Sequence, residues 1–242
     1  MKVGILIQAR MGSSRLPGKI ALPLGNTTVL GLMLERLKRS KYKQSLVVLT
    51  TEEEIDNRTV QIAEENSVSF FRGSSNDLIK RYLDAAKLHN LDVIVRLTGD
   101  CPFIDPSIVD YMVDFYLYNK GRVEFFTNCF QRTFARGMDI EILSFDLLRR
   151  LDSVCKLPHE REHIVPYVEE NTQEFLFFEY PNHKDDSKFR LTIDTMEDYE
   201  TLKLVLSSLS SPHFSYSDLI RLVETKPELI QNQSVHHKAY TE

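Results

Sequence analysis

The chain is poor in several features that would each have fixed its class. No apolar run in its 242 residues approaches the roughly 18 needed to span a bilayer as a helix. The N-terminal apolar stretch is interrupted by Gln8, Arg10 and Arg15, so it does not read as a signal peptide. Cysteine is scarce: Cys101, Cys129 and Cys155 lie far apart and form no C-x-x-C pair. That spacing argues against a thiolate zinc site. The odd count without a targeting segment predicts a reduced, cytoplasmic protein. A positive surplus is missing as well. A net charge of -5 and a pI near 5.9 argue against a nucleic-acid-binding surface. Two common phosphate signatures are absent: no G-x-x-x-x-G-K-[ST], and no G-x-G-x-x-G opening a helix. P-loop kinases and simple dinucleotide-binding dehydrogenases are thereby set aside. Internal repeats, low-complexity tracts and linkers are lacking too, so residues 1–225 read as one domain and 226–242 as a polar tail.

What the chain does have is alternation. Val3 to Ile7, Leu46 to Leu49, Val68 to Phe71 and Val93 to Leu97 are short apolar runs that read as buried strands. Between them lie helical spacings: Val29, Leu30, Met33, Leu34 and Leu37; Glu54 to Asn66; and Leu78, Tyr82, Ala85 and Ala86. Asp105-Pro106 then starts a helix, with Asp as N-cap and Pro in the first turn. Such alternation predicts an α/β protein with a mostly parallel sheet covered by helices. The second half is more mixed. Phe125 to Asn128, Ile140 to Ser144, Phe175 to Tyr180 and Phe189 to Ile193 are strand candidates. Phe145 to Val154, His159 to Asn171, Asp198 to Leu209 and Tyr216 to Glu224 are helix candidates. In a parallel sheet ligands bind beyond the carboxyl ends of the strands. The segments after Ile7, Leu49, Phe71 and Leu97 are therefore expected to cluster.

The first of these segments carries most of the chemistry. Gln8-Ala-Arg10-Met-Gly12-Ser13-Ser14-Arg15-Leu-Pro-Gly18-Lys19 combines small residues, turn residues and three cations. Backbone N–H groups and fixed positive charges in such a loop suit a polyphosphate. The plain alternative is a solvated basic loop. A second segment, Arg96-Leu-Thr98-Gly-Asp100-Cys-Pro102, puts a carboxylate at the end of the fourth strand. A third, Arg190-Leu-Thr-Ile-Asp194-Thr-Met-Glu-Asp198, puts another before a helix. Each carboxylate alone also has a structural reading, Asp100 as a turn residue and Asp194 as a helix cap. As a pair, one magnesium ion shared with nucleotide phosphates is a normal arrangement.

Together these segments resemble the sugar-activating nucleotidyltransferases, and specifically their cytidylyltransferase branch. The Gln-Ala-Arg-Met-Gly-Ser start is similar to the spore coat polysaccharide type, related to the acylneuraminate and Kdo cytidylyltransferases. Arg136-Gly-Met-Asp139-Ile-Glu141 and Arg161-Glu-His163-Ile-Val-Pro-Tyr167 add further matches. Met196 stands where relatives often carry proline, which leaves the neighbouring carboxylate intact. The resemblance implies a three-layer α/β/α nucleotide-diphospho-sugar transferase fold, GT-A-like and Rossmann-like, with a mixed, mostly parallel sheet. It implies a nucleotide-binding half over 1–120 and an acceptor and dimerisation half over 121–225. It implies CTP as nucleotide, with Mg2+ on Asp100 and Asp194. Gln8, Ala9, Arg10, Gly12, Ser13, Ser14, Lys19, Thr50, Arg72, Asp77, Arg81, Thr98 and Asp100 would hold the nucleotide. Arg10, Arg15, Lys19 and Asp100 would carry the chemistry. Arg136, Asp139, Glu141, Arg161 and His163 would meet a small anionic sugar-type acceptor, in a homodimer.

The reaction implied is attack of an acceptor oxygen on the α-phosphorus of CTP, with pyrophosphate leaving, for surface polysaccharide or glycan biosynthesis. Asp77 and Arg81 also read as an i,i+4 surface pair, and His163 as a structural histidine. Two rival functions stay open. A metal-dependent glycosyltransferase of the same fold should show an Asp-x-Asp motif, for which Asp185-Asp186 is a poor candidate. A non-enzymatic nucleotide-binding protein would share the fold without turnover.

Overall fold

The computed structural model describes residues 1–162, 164–232 and 235. Four predicted strands form the parallel core of the sheet: β1 (Val3–Gln8), β4 (Leu46–Thr51), β5 (Ser69–Gly73) and β6 (Val93–Thr98). A small hairpin of β2 (Pro23–Leu24) and β3 (Thr27–Thr28) lies outside it. Three strands extend the sheet: β7 (Phe125–Thr127), β8 (Glu141–Ser144) and β9 (Phe177–Glu179). Among the described residues the order is β5-β4-β1-β6-β8-β7-β9. β8 runs antiparallel to β6 and β7, and the remaining pairs are parallel. The mixed, mostly parallel sheet is thus as expected.

Side-chain alternation on β1 divides the core into two layers. Val3, Ile5 and Ile7 face α1 (Val29–Leu37), α2 (Asn57–Glu65) and α4 (Pro106–Tyr118). Leu6 faces α3 (Leu78–Leu88) and α5 (Phe145–Val154). Two short helices follow, α6 (Pro158–Glu162) and α7 (Ile164–Glu170). A third cluster packs α8 (Met196–Ser207) and α9 (Tyr216–Thr225) against Leu32, Phe103 and the segment around Leu191. Side-chain caps mark the helix starts: Asp105 accepts from the Ser107 N–H as the sequence predicts, while Thr195, rather than Asp194, and Ser215 each complete a capping box.

One expectation is corrected. Residues Phe189 to Ile193 are not a strand: beyond a single bridge between Arg136 and Arg190, the segment bonds to loops. Its alternating pattern is real, since Leu191 and Ile193 are buried, but among the described residues no strand pairs with it. The predicted helix from His159 to Asn171 is described as helix over 158–162 and 164–170, with residue 163 outside the described residues. Of the predicted tail, only residues up to 232 and residue 235 are described. Residues 227–229 make a short 3-10 turn there and Asn232 is buried, so that stretch packs on the domain.

Register aligns the functional ends. Gln8 at the end of β1 sits opposite Leu49 of β4 and Thr98 of β6. The segments that follow these strands leave the sheet at one edge.

Candidate active site

A cleft of about 430 Å³ opens at that edge. From the opening loop, Gln8, Ala9, Arg10, Gly12, Ser13 and Ser14 line it, together with Arg15 and Lys19. The loop is held from below. The Met11 N–H donates to buried Asp56 (2.6 Å), which also accepts from the Thr51 hydroxyl at the end of β4. The Ser13 and Gly18 N–H groups both donate to the Met11 carbonyl (2.9 Å), so the loop folds back on itself. Gly18 adopts φ 73°, a conformation that favours glycine, and the turn there delivers Lys19 into the cleft.

Thr98, Gly99 and Asp100 enter from β6. The Gly99 N–H donates to the Gln8 carbonyl (2.8 Å), which locks the two strand ends together. Asp194 arrives from far along the chain by backbone stitching. The Ile193 N–H and the Thr192 hydroxyl both donate to the Asp100 carbonyl, at 2.9 and 3.2 Å. Gly137, at φ 104°, permits this approach: a Cβ there would lie 2.4 Å from the Leu191 carbonyl oxygen.

At the centre, one ammonium bridges two carboxylates. Lys19 Nζ lies 2.5 Å from Asp100 Oδ2 and 2.8 Å from Asp194 Oδ1. Arg15 adds a contact to Asp194 Oδ1 at 3.1 Å. Burial works against charge on Lys19, but Asp100 and Asp194 outweigh it and raise its pKa. Burial likewise opposes ionisation of Asp194. Lys19, Arg190 and Arg15 overcome it and hold the carboxyl well below its usual range. Both groups are therefore charged at neutral pH.

The far end of the cleft is lined by Arg136, Asp139 and Glu141. Arg132 grips Asp139 with a two-point fork, at 2.6 and 3.0 Å. Glu141 pairs with Arg96 across the β6–β8 register. Burial raises the Glu141 pKa, and Arg96 offsets part of that rise.

Most of the other predicted residues are placed elsewhere. Thr50 is fully buried within β4 and does not line the cleft. Arg72 staples the turn after β4, donating to the Thr51 carbonyl (2.9 Å), Asn57 and the Glu53 carbonyl. Asp77 caps α3 and pairs with Arg161 (2.6 Å) rather than with Arg81. Arg161 also binds Asp152, and neither Asp77 nor Arg161 lines the cleft. Arg81 does line the cleft, with its guanidinium donating to the Ser74 carbonyl (3.0 Å from Nε). His163 lies outside the described residues.

Sequence reasoning missed three contributors. Arg96 lines the cleft, and a charge inside an otherwise apolar buried strand was a usable signal. Cys101 and Thr192 complete the wall beneath Asp100, joined by a hydroxyl–thiol contact of 3.5 Å. Burial pushes the Cys101 thiol well up, so it is a small neutral wall group. Nothing in the sequence marked these two.

Among the described residues, no cluster of three or more His, Cys, Asp or Glu side chains is arranged to hold a metal alone. Asp100 and Asp194 nevertheless converge on one point, and both offer hard oxygen donors. That donor set fits a magnesium-type ion, which takes one or two carboxylates and completes its shell with phosphate and water oxygens.

Comparison with known proteins agrees with this geometry. The family model described as cytidylyltransferase matches residues 4–236. Spore coat polysaccharide biosynthesis protein SpsF of Bacillus subtilis is 31% identical over 92% of this chain and 94% of its own. A solved cytidylyltransferase from Leptospira borgpetersenii serovar Hardjo-bovis is 70% identical, with a TM-score of 0.95, covering 98% of this chain and all of the other (100%). A CMP:2-keto-3-deoxy-manno-octonic acid synthetase complexed with CTP shares the fold, at 17% identity and a TM-score of 0.66 over 86% of this chain and 99% of its own.

Proposed function

The chain belongs to the cytidylyltransferase family of nucleotidyltransferases, and on that premise we propose that it transfers CMP from CTP to a sugar-type acceptor. The observation that carries this reading is the meeting of Lys19, Asp100 and Asp194 beside the opening loop. Arg10, Arg15 and Lys19 supply the positive charge a triphosphate needs, and Gly12, Ser13 and Ser14 let the loop lie close to it. Thr98 and Gln8 face the same space and stand where the base or ribose would be read.

The chemistry is in-line displacement at the α-phosphorus. An acceptor hydroxyl or phosphate oxygen attacks and bonds to the α-phosphorus, the α–β phosphoanhydride bond breaks, pyrophosphate departs, and the proton of an attacking hydroxyl passes to solvent. Positioning and charge neutralisation lower the barrier to such transfers. Arg10 and Arg15 orient the β- and γ-phosphates, and Lys19 neutralises the leaving pyrophosphate. A divalent cation held by Asp100 and Asp194 would neutralise phosphate charge and polarise the attacking oxygen. Arg136, Asp139 and Glu141 orient the acceptor. With Arg161 placed elsewhere, Arg136 is the predicted acceptor cation that lines the cleft.

A sugar acid or a related polyhydroxyl compound, used in surface polysaccharide synthesis, fits this end of the cleft. A cytoplasmic homodimer using Mg2+ completes the proposal. Among the described residues no helix is long and apolar enough to cross a membrane. The glycosyltransferase reading loses its motif, because Asp186 is 2% exposed and bonded to Tyr216 and Asn182. The test is a pyrophosphate-release screen of the four nucleoside triphosphates against sugar acids and phosphorylated sugars, with and without Mg2+. Release with CTP that depends on both acceptor and cation is expected. No CTP-dependent release with any member of the panel, or release equally fast with ATP, would reject the assignment.

A further inference from the structure

Asp194 is held in place by an arrangement that its cleft role alone does not explain. Its Oδ1 faces Lys19 and Arg15, while its Oδ2 accepts from Arg190 Nη2 at 2.6 Å. Arg190 is itself gripped by Asp198, with Nε to Oδ1 at 2.7 Å and Nη2 to Oδ2 at 3.0 Å. Asp198 is fully buried at 0% exposure. It also accepts from the Asp194 N–H (2.9 Å), the Thr195 N–H (3.0 Å) and the Asn232 side-chain amide (2.6 Å). Asp194 is thus tied to Asp198 twice, once through its own backbone and once through the Arg190 guanidinium.

This geometry decides how the carboxylate can be used. With Oδ2 committed to Arg190, rotation about the Cβ–Cγ bond is blocked and a single oxygen, Oδ1, is presented to the cleft. We infer that Arg190, braced by Asp198, is the positioning residue that makes Asp194 a one-oxygen ligand for the cation of the nucleotide complex. The inference rests on the reading of Asp194 as a cation ligand. A second carboxylate paired through an arginine serves a purpose here that a capping box does not require. Thr195 and Asp198 already complete that box at the start of α8 without Arg190. The Arg190 guanidinium and the Asp198 carboxylate meet at two points, a geometry that fixes the brace in one orientation. Groups that orient a metal ligand from behind commonly change metal affinity by 10- to 100-fold when altered.

The test measures binding, so it does not depend on turnover. CTP affinity is determined by calorimetry on the full chain, once with Mn2+ and once with EDTA, for wild type, Arg190→Lys and Asp194→Ala. The ratio of the two affinities is the cation's contribution. Lysine keeps the charge but cannot span both carboxylates as the guanidinium does. Arg190→Lys is expected to lower the Mn2+-dependent ratio by about tenfold or more while the EDTA affinity stays within about twofold of wild type. A ratio unchanged in Arg190→Lys but lost in Asp194→Ala overturns the positioning role. A ratio unchanged in Asp194→Ala overturns the ligand reading and the inference with it. Should Arg190→Lys fail to fold, Asp198→Asn, which keeps the volume and removes the ionic grip, is judged by the same ratio.

Discussion

Lys19 stands at the point where opposing charges must be reconciled. It is 8% exposed, yet it is charged because two carboxylates share it. Removing it leaves Asp100 and Asp194 without their shared cation and, in the proposed reaction, strips a charge from the leaving pyrophosphate. Lys19→Ala should lower pyrophosphate release by about a hundredfold or more, and Asp100→Ala by a similar factor, with far-UV circular dichroism unchanged in both. Wild-type rates in either would remove that residue from the chemistry. The same cluster sets a pH window. Asp194 is depressed below its ordinary 3.8, so its contribution to stability is present above that value and lost as pH falls below it. Lys19 is raised above its ordinary 10.5, so its contribution is complete below that value and lost as pH rises beyond it. Stability from this cluster is therefore flat between the two limits. Asp194→Asn should abolish the acid limb attributable to this site in urea unfolding measured from pH 5 down to 2.5.

Elements bring these side chains together, and two arginines show how. Arg36, on α1, is 1% exposed and donates to the carbonyls of Phe103, Ile104, Pro212 and Phe214. It lies 3.8 Å from the centre of the Phe214 ring. Burial lowers its pKa to about 10, so it remains charged at neutral pH. It fastens the segment after Asp100 and the start of α9 to one helix. Arg36→Met should cost about 3 kcal/mol, since buried carbonyls lose their donors, measured by urea unfolding. Asp77 makes the contrasting case. Its Oδ1 caps α3 and its carboxylate pairs with Arg161 on α6. Asp77→Ala should cost about 1 kcal/mol of stability and leave the KM for CTP within about twofold. A large KM change would restore the nucleotide-binding role that the sequence pattern assigns to it.

The elements also show how much was legible. The four parallel strands, α1 to α5 and the cleft at the strand ends followed from apolar period and cap residues. The start of α4 was readable because Asp105 caps it with its own side chain ahead of Pro106. The 189–193 segment misled because burial on alternate residues is shared by strands and by chain laid across a core. Asp77 and Arg72 misled for another reason. A polar residue after a strand serves the loop's own hydrogen bonds as readily as a ligand, and spacing does not distinguish these uses.

At the scale of the whole molecule, the cleft draws on the first loop, the end of β6, the start of β8 and the approach to α8. A ligand that bridges these parts must stabilise all of them together. CTP with Mg2+ at about 100 times its Kd should add about 2.7 kcal/mol. That corresponds to a rise of about 5 to 10 °C in the unfolding midpoint for a domain of this size. ATP should give a much smaller shift, and equal shifts would argue against cytidine selectivity.

By itself the sequence determined the α/β alternation, the basic loop after the first strand and the two segments bearing Asp100 and Asp194. These are local properties, because period, caps and residue type act within a few neighbours. The tertiary structure alone decided which of the charged residues meet. It paired Lys19 with both carboxylates, turned Asp77 and Arg161 toward each other, and set Arg190 and Asp198 behind Asp194. A charge acts on whatever lies within a few ångströms, and only the folded chain fixes those neighbours.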